Sequence, residues 1–135
     1  MPDSNMPAIA ADIAILDDDL DFRTYLEDIL ADEKIYTIRA FATPAKLFAS
    51  CEERVPDIVL LDIIMPDMDG FEVLQELRSF TDIPVIAFSA SPANEDQALA
   101  LGADDFVHKP FDSDDMARRI RALLSKKISN CYLIG

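Results

Sequence analysis

The sequence predicts an α/β fold, a doubly wound parallel sheet of five strands with five helices. Two observations carry this expectation. Three unbroken apolar runs, Ile13-Ala14-Ile15-Leu16, Ile58-Val59-Leu60-Leu61 and Pro84-Val85-Ile86-Ala87-Phe88, are too short for ordinary helices. They suit strands buried on both faces, as in a sheet covered by helices. Between the runs the apolar period lengthens to that of an amphipathic helix. Strand and helix alternate five times, the order of a parallel sheet with right-handed crossovers.

Taken in order, Ile13–Leu16 is the first strand, and Phe22, Leu26, Ile29 and Leu30 share one face of the first helix. Ile35–Phe41 is the second strand, less apolar than the others. Thr43 supplies a capping hydroxyl before Pro44 at a first helical position, opening a helix towards Ser50. The third strand follows, and Gly70 precedes a helix whose inner residues are Phe71, Leu74 and Leu77. After the fourth strand Pro92 opens a helix that Gly102 closes as a C-terminal stop. Asp105–His108 is the fifth strand, and Met116, Ile120, Leu123 and Leu124 line the last helix. One domain over residues 12–127 is expected, with an N-terminal extension (1–11) and a C-terminal tail (128–135).

A chain of 135 residues, half of them apolar, has room for one buried core. Its 26 acidic residues against 12 basic ones leave a formal charge of −14. Such a field repels nucleic acid and anionic lipid and favours cations or basic partners, so no direct nucleic-acid contact is expected. Cys51 and Cys131 form no metal-ligand spacing and read as reduced thiols. The first residues lack a basic region followed by an apolar run, and no apolar stretch reaches the roughly 18 residues of a membrane span. A cytoplasmic protein without membrane contact is expected.

In an open parallel sheet, ligands bind outside the carboxyl ends of the strands. Here those ends are Asp17-Asp18-Asp19, Asp62, Ser89 and Lys109-Pro110. Carboxylates with a backbone carbonyl make a hard oxygen site suited to magnesium. A carboxylate can also become an acyl phosphate, given a cation to neutralise the transferring group. Separately, each residue has an ordinary reading: a solvated turn capping the first helix, a strand-end cap, a surface serine, a turn at Lys109-Pro110. Their convergence on one mouth favours a site. Phe106 and His108 share a face of the fifth strand, opposite Val107; Phe106 reads as a packed aromatic and His108 is given no chemical role.

These blocks, together with Met65-Pro66-Asp67-Met68-Asp69-Gly70 and Gly102-Ala103-Asp104-Asp105-Phe106, resemble the receiver domains of bacterial response regulators from about Asp12 to Ser125. The resemblance implies strand order 2-1-3-4-5. It also implies that Asp62 accepts the phosphoryl group from a histidine kinase or phosphotransfer protein. Asp17, Asp18, Asp62 and the backbone carbonyl of Ile64 are then the Mg²⁺ ligands. Ser89 and Lys109 contact the phosphoryl group, Ser89 and Phe106 form the switch, and the Lys109–Pro110 bond is cis. The face of the fourth helix, fifth strand and fifth helix then controls a downstream protein or output domain.

Three departures from the family pattern carry consequences. Phe106 lacks the hydroxyl of the common tyrosine. Apolar Ile64 beside the acceptor predicts slow self-hydrolysis. Asp105, Asp115 and Arg119 suit a phosphorylation-dependent homodimer, whereas Glu95 and Leu101 stand where a basic and an acidic partner are usual. The chain is accordingly expected to be a switch rather than an enzyme. The alternatives are a constitutive interaction module and a Mg²⁺-dependent phosphohydrolase. A flavodoxin-like carrier ranks behind them, because aspartates after the first strand repel an FMN phosphate.

Overall fold

The computed structural model describes residues 10–31, 36–66 and 68–134, side chains at 68 and 127–134 excepted. Five strands alternate with five helices: β1 (Ala11–Leu16), α1 (Leu20–Ala31), β2 (Tyr36–Phe41), α2 (Pro44–Glu53), β3 (Ile58–Asp62), α3 (Gly70–Phe80), β4 (Val85–Ser89), α4 (Glu95–Ala100), β5 (Asp105–His108) and α5 (Ser113–Ile134). The strands form one parallel sheet in the order β2-β1-β3-β4-β5, as expected. Between β3 and α3, Ile64–Met65 pairs antiparallel with Met68–Asp69.

The apolar runs are central strands because successive side chains enter opposite layers and both layers are covered. Leu61, Val85 and Phe106 pack with Leu47, Leu74 and Leu77 on one side of the sheet. Leu60, Phe88 and Val107 pack with Leu26, Met116 and Ile120 on the other. The edge strand β2 is only half-buried, which explains its weaker apolar signal. Thr43 caps α2 through Lys46 N (3.3 Å), with Pro44 as the first helical residue.

Several boundaries differ from the sequence reading: β3 runs on to Asp62, β4 runs from Val85 to Ser89 with Pro84 ahead of it, and Ile35 of the expected second strand lies outside the described residues. Ala11 already belongs to β1, and the rest of the expected extension, apart from Ala10, lies outside the described residues. Gly70 is the first residue of α3 rather than its predecessor, because Asp69 takes the capping position and its Oδ1 accepts from Phe71 N at 2.9 Å. Pro92–Asn94 is a 3-10 turn ahead of a short α4, and Gly102 ends that segment with φ +110. The expected tail over 128–135 is instead helical through Ile134. No glycine or proline interrupts α5, so nothing in its sequence stops it earlier.

Arg78 at the end of α3 joins three segments. Its guanidinium donates to Gly102 O (2.8 and 3.0 Å), Ile83 O (2.8 Å) and Thr81 O (3.3 Å), and pairs with Asp104 Oδ2 (2.9 Å). Asp104 Oδ2 also accepts from Val85 N at 2.8 Å, at the start of β4. Replacement by the apolar Met leaves several carbonyls without a donor, so Arg78→Met is expected to destabilise the fold by about 2–4 kcal/mol. Urea unfolding checks this; a loss below about 0.5 kcal/mol would show that water replaces the guanidinium freely.

At the opposite edge Asp12 pairs with Arg39 (2.9 Å) and Arg54 (2.7 Å), joining β1, β2 and the end of α2. Cys51 is a free, buried thiol whose pKa is pushed up by burial; the Cys131 side chain lies outside the described residues. Among the described residues, no helix is long and apolar enough to cross a membrane.

Candidate functional site

The carboxyl ends of β1, β3, β4 and β5 meet at one mouth, and each expected residue sits there for a local reason. Asp17 follows β1 directly and is wholly buried. Its Oδ1 accepts from Asp19 N (2.9 Å) and its backbone carbonyl from Arg23 Nη1 (2.8 Å), which fixes the turn into α1. Asp19 fulfils the capping reading, accepting from Asp21 N at 3.0 Å, while Asp18 is left exposed. Asp62 ends β3, buried, with Oδ1 accepting from Ile64 N at 3.1 Å. The Lys109 ammonium bridges Asp17 Oδ2 and Asp62 Oδ2, at 3.3 Å from each. The Lys109–Pro110 bond is cis, and Lys109 N donates to Ser89 O at 2.9 Å.

Charge is unbalanced at this mouth. Asp17, Asp18 and Asp62 each bring a carboxylate oxygen within 4.8 Å of the others, against one ammonium. Burial, with the neighbouring Asp17 carboxylate, raises the Asp62 pKa to about 6, opposed by Lys109 and the Ile64 N–H. Proton uptake and a bound divalent cation are the two ways to relieve this repulsion, so the donor set fits magnesium.

The pattern described as "Response regulator receiver domain" matches residues 13–121. The chain belongs to that family. It is 38% identical over 116 residues to a probable transcriptional regulator, ycf27, of Guillardia theta, covering 84% of this chain and 45% of that protein. Against the transcriptional regulatory protein KdpE of Mycobacterium tuberculosis, identity is 41% over 100 residues, covering 73% of this chain and 44% of that protein. The CheY-like response regulator receiver domain protein of Methanospirillum hungatei superposes with a TM-score of 0.82 at 27% identity, covering 90% of this chain and 99% of that one. The chain spans about half the length of the curated relatives it matches. Those relatives are named transcriptional regulators, so the expected exclusion of nucleic acid is withdrawn: the charge of −14 speaks only for these residues.

At the end of β4, Ser89 is fully buried, and its hydroxyl oxygen accepts from Ser91 N and Asn94 Nδ2, both at 3.0 Å. Phe106 is 5% exposed and meets the His108 ring edge-on, with centroids 5.3 Å apart. His108 Nε2 lies 3.1 Å from Glu95 Oε1, an α4-to-β5 contact. Arg119 bonds to Asp105 (2.7 Å) and Asp115 (3.0 Å), so these three residues pair within the chain. Sequence reasoning missed Asn94, whose signal is only a polar residue in the turn that Pro92 opens. It also took Phe22 for core alone, whereas the Lys109 ammonium lies over that ring.

Proposed function

We propose that this receiver is a phosphoacceptor signalling switch, with Asp62 receiving a phosphoryl group from a sensor histidine kinase or phosphotransfer protein in the cytoplasm. The supporting observation is a buried carboxylate at a strand end, beside a second buried carboxylate and one ammonium. In the transfer, an Asp62 oxygen attacks phosphorus and the P–N bond of the phosphohistidine breaks. The electron pair returns to the imidazole, which takes up a proton, and Asp62 becomes a mixed anhydride. Asp17, Asp18, Asp62 and the Ile64 carbonyl are assigned to hold Mg²⁺, which when bound supplies charge neutralisation at the phosphoryl oxygens.

Lys109 turns from Asp62 to a phosphoryl oxygen, and the Ser89 hydroxyl donates to another. Because the phosphoryl group then favours one arrangement of Ser89, the populations on the face carrying Phe106 shift and control a downstream protein or output domain. The reading keeps the chain a phosphoacceptor rather than an enzyme acting on external esters.

Intact-mass spectrometry after incubation with acetyl phosphate and Mg²⁺ tests this. One added phosphoryl group is expected in the native chain and none in Asp62→Asn or without magnesium. Failure with both acetyl phosphate and a phosphorylated histidine kinase would leave the constitutive module ahead. Ile64 is 55% exposed and flanks the acceptor, where an apolar group hinders an attacking water. Ile64→Asn is therefore expected to speed loss of the phosphoryl group roughly tenfold, an unchanged half-life counting against shielding.

A further inference from the structure

We propose that Phe22 is a positioning residue for Lys109, its ring face holding the ammonium at the mouth while the partners of that ammonium change. The inference rests on the role given to Lys109 above. Its starting point is a pair of weak contacts. Lys109 Nζ lies 3.3 Å from Asp17 Oδ2 and 3.3 Å from Asp62 Oδ2. Strong charge-assisted bonds of this kind are about 2.7–2.9 Å long, so neither carboxylate clamps the ammonium. One of the two acceptors is also the nucleophile, and its oxygens change role on phosphorylation. A lysine carries its charge on a flexible four-carbon stem, which by itself gives no fixed position.

The rings supply what the carboxylates do not. Nζ is 4.0 Å from the Phe22 centroid and 5.0 Å from that of Phe88, inside the roughly 6 Å range of cation–π attraction. The Lys109 side chain is 21% exposed, so water competes only partly for the ammonium. The rings are held in turn: Phe22 stacks on Phe88 (centroids 5.5 Å apart) and meets Phe111 edge-on (5.4 Å). These three residues come from α1, from β4 one residue before Ser89, and from the segment after Pro110. The cage therefore spans three of the segments that build the mouth. A leucine fills similar space yet lacks the negative ring face, so the rings do more than pack.

The test places mono-, di- and trifluorinated phenylalanine at position 22 in the full chain, which drains the ring face of negative charge with little change of shape. The rate of phosphorylation by acetyl phosphate with Mg²⁺ is expected to fall stepwise, by about fivefold over the series, and Phe22→Tyr to retain the native rate. Phe22→Leu is expected to match the trifluorinated protein. Independently of activity, the Lys109 ε-proton resonances of the native protein, recorded without magnesium, are expected upfield of free lysine and to move back in Phe22→Leu. A native protein that takes up phosphoryl groups with a flat fluorination series overturns the cage, as do unshifted Lys109 resonances. A native protein that takes up none from acetyl phosphate or from a phosphorylated histidine kinase overturns the reading of Lys109 itself.

Discussion

Asp62→Asn is expected to make the magnesium-free protein more stable at neutral pH, although it removes the proposed phosphoacceptor. Burial and the Asp17 carboxylate raise the Asp62 pKa from 3.8 to about 6. A carboxyl whose folded pKa lies above its unfolded one holds its proton more tightly in the native state. Its stabilising contribution is complete below the unfolded value and is lost as the pH rises through the folded value. At pH 7 the shift of about two units corresponds to roughly 3 kcal/mol of strain relative to a neutral side chain.

Asparagine keeps the shape and never ionises, so its advantage should be small near pH 4 and full above about pH 6. Magnesium, binding only the native carboxylates, should narrow the gap. Urea unfolding of both proteins in chelator, at a series of pH values, measures the difference. An advantage independent of pH, or an asparagine variant less stable at pH 7, would show that repulsion at Asp62 is not what limits the fold.

Gly70→Ala is expected to have the opposite effect on the same site. A Cβ at Gly70 falls 2.5 Å from Ile63 Cα, 2.6 Å from Ile63 O and 2.7 Å from Asp62 O. These are backbone atoms, so no side-chain rotation relieves the clash. Gly70 N also donates to Ile63 O at 3.0 Å, which keeps the two segments together. The helix propensity gained by alanine, about 1 kcal/mol, is outweighed by a forced backbone shift costing about 3 kcal/mol or more.

Because the shifted backbone carries Asp62, phosphorylation by acetyl phosphate should fall at least tenfold even in the fraction that remains folded. Thermal unfolding and the phosphorylation rate check the two parts separately. Native stability in Gly70→Ala would mean that the approach of α3 to β3 is looser than these distances require. Gly102 differs in kind: there a Cβ meets only side-chain atoms of Arg78, and the main obstacle is the positive φ.

Much of this protein was legible before folding. Runs such as Ile58–Leu61 signal strands because a residue series buried on both faces admits no polar member, and Asp62 stands out as the polar residue at its end. The rule that sites lie at the carboxyl ends of parallel strands then selected Asp17-Asp18-Asp19, Ser89 and Lys109-Pro110. The resemblance narrowed the triplet to Asp17 and Asp18, and the structure brings these segments together. Helix starts were legible where a capping side chain adjoins proline, as at Thr43-Pro44. Asp69 was hidden among the acids around it, and the far end of α5 has no breaker to read.

What only the tertiary structure decided are contacts between distant residues of common types. Arg78 reads as a solvated arginine on α3 until the chain folds Gly102 and Asp104 against it. Arg119 reads as part of a charged face of α5, and the approach of β5 to α5 adds Asp105 to the Asp115 carboxylate one turn earlier. Phe22 shares its helical face with core residues, so periodicity alone marks it as packing. Only the return of the chain after β5 lays the Lys109 ammonium over its ring. Local period records which side of an element is apolar; which charge meets which ring is set by crossovers that the period does not encode.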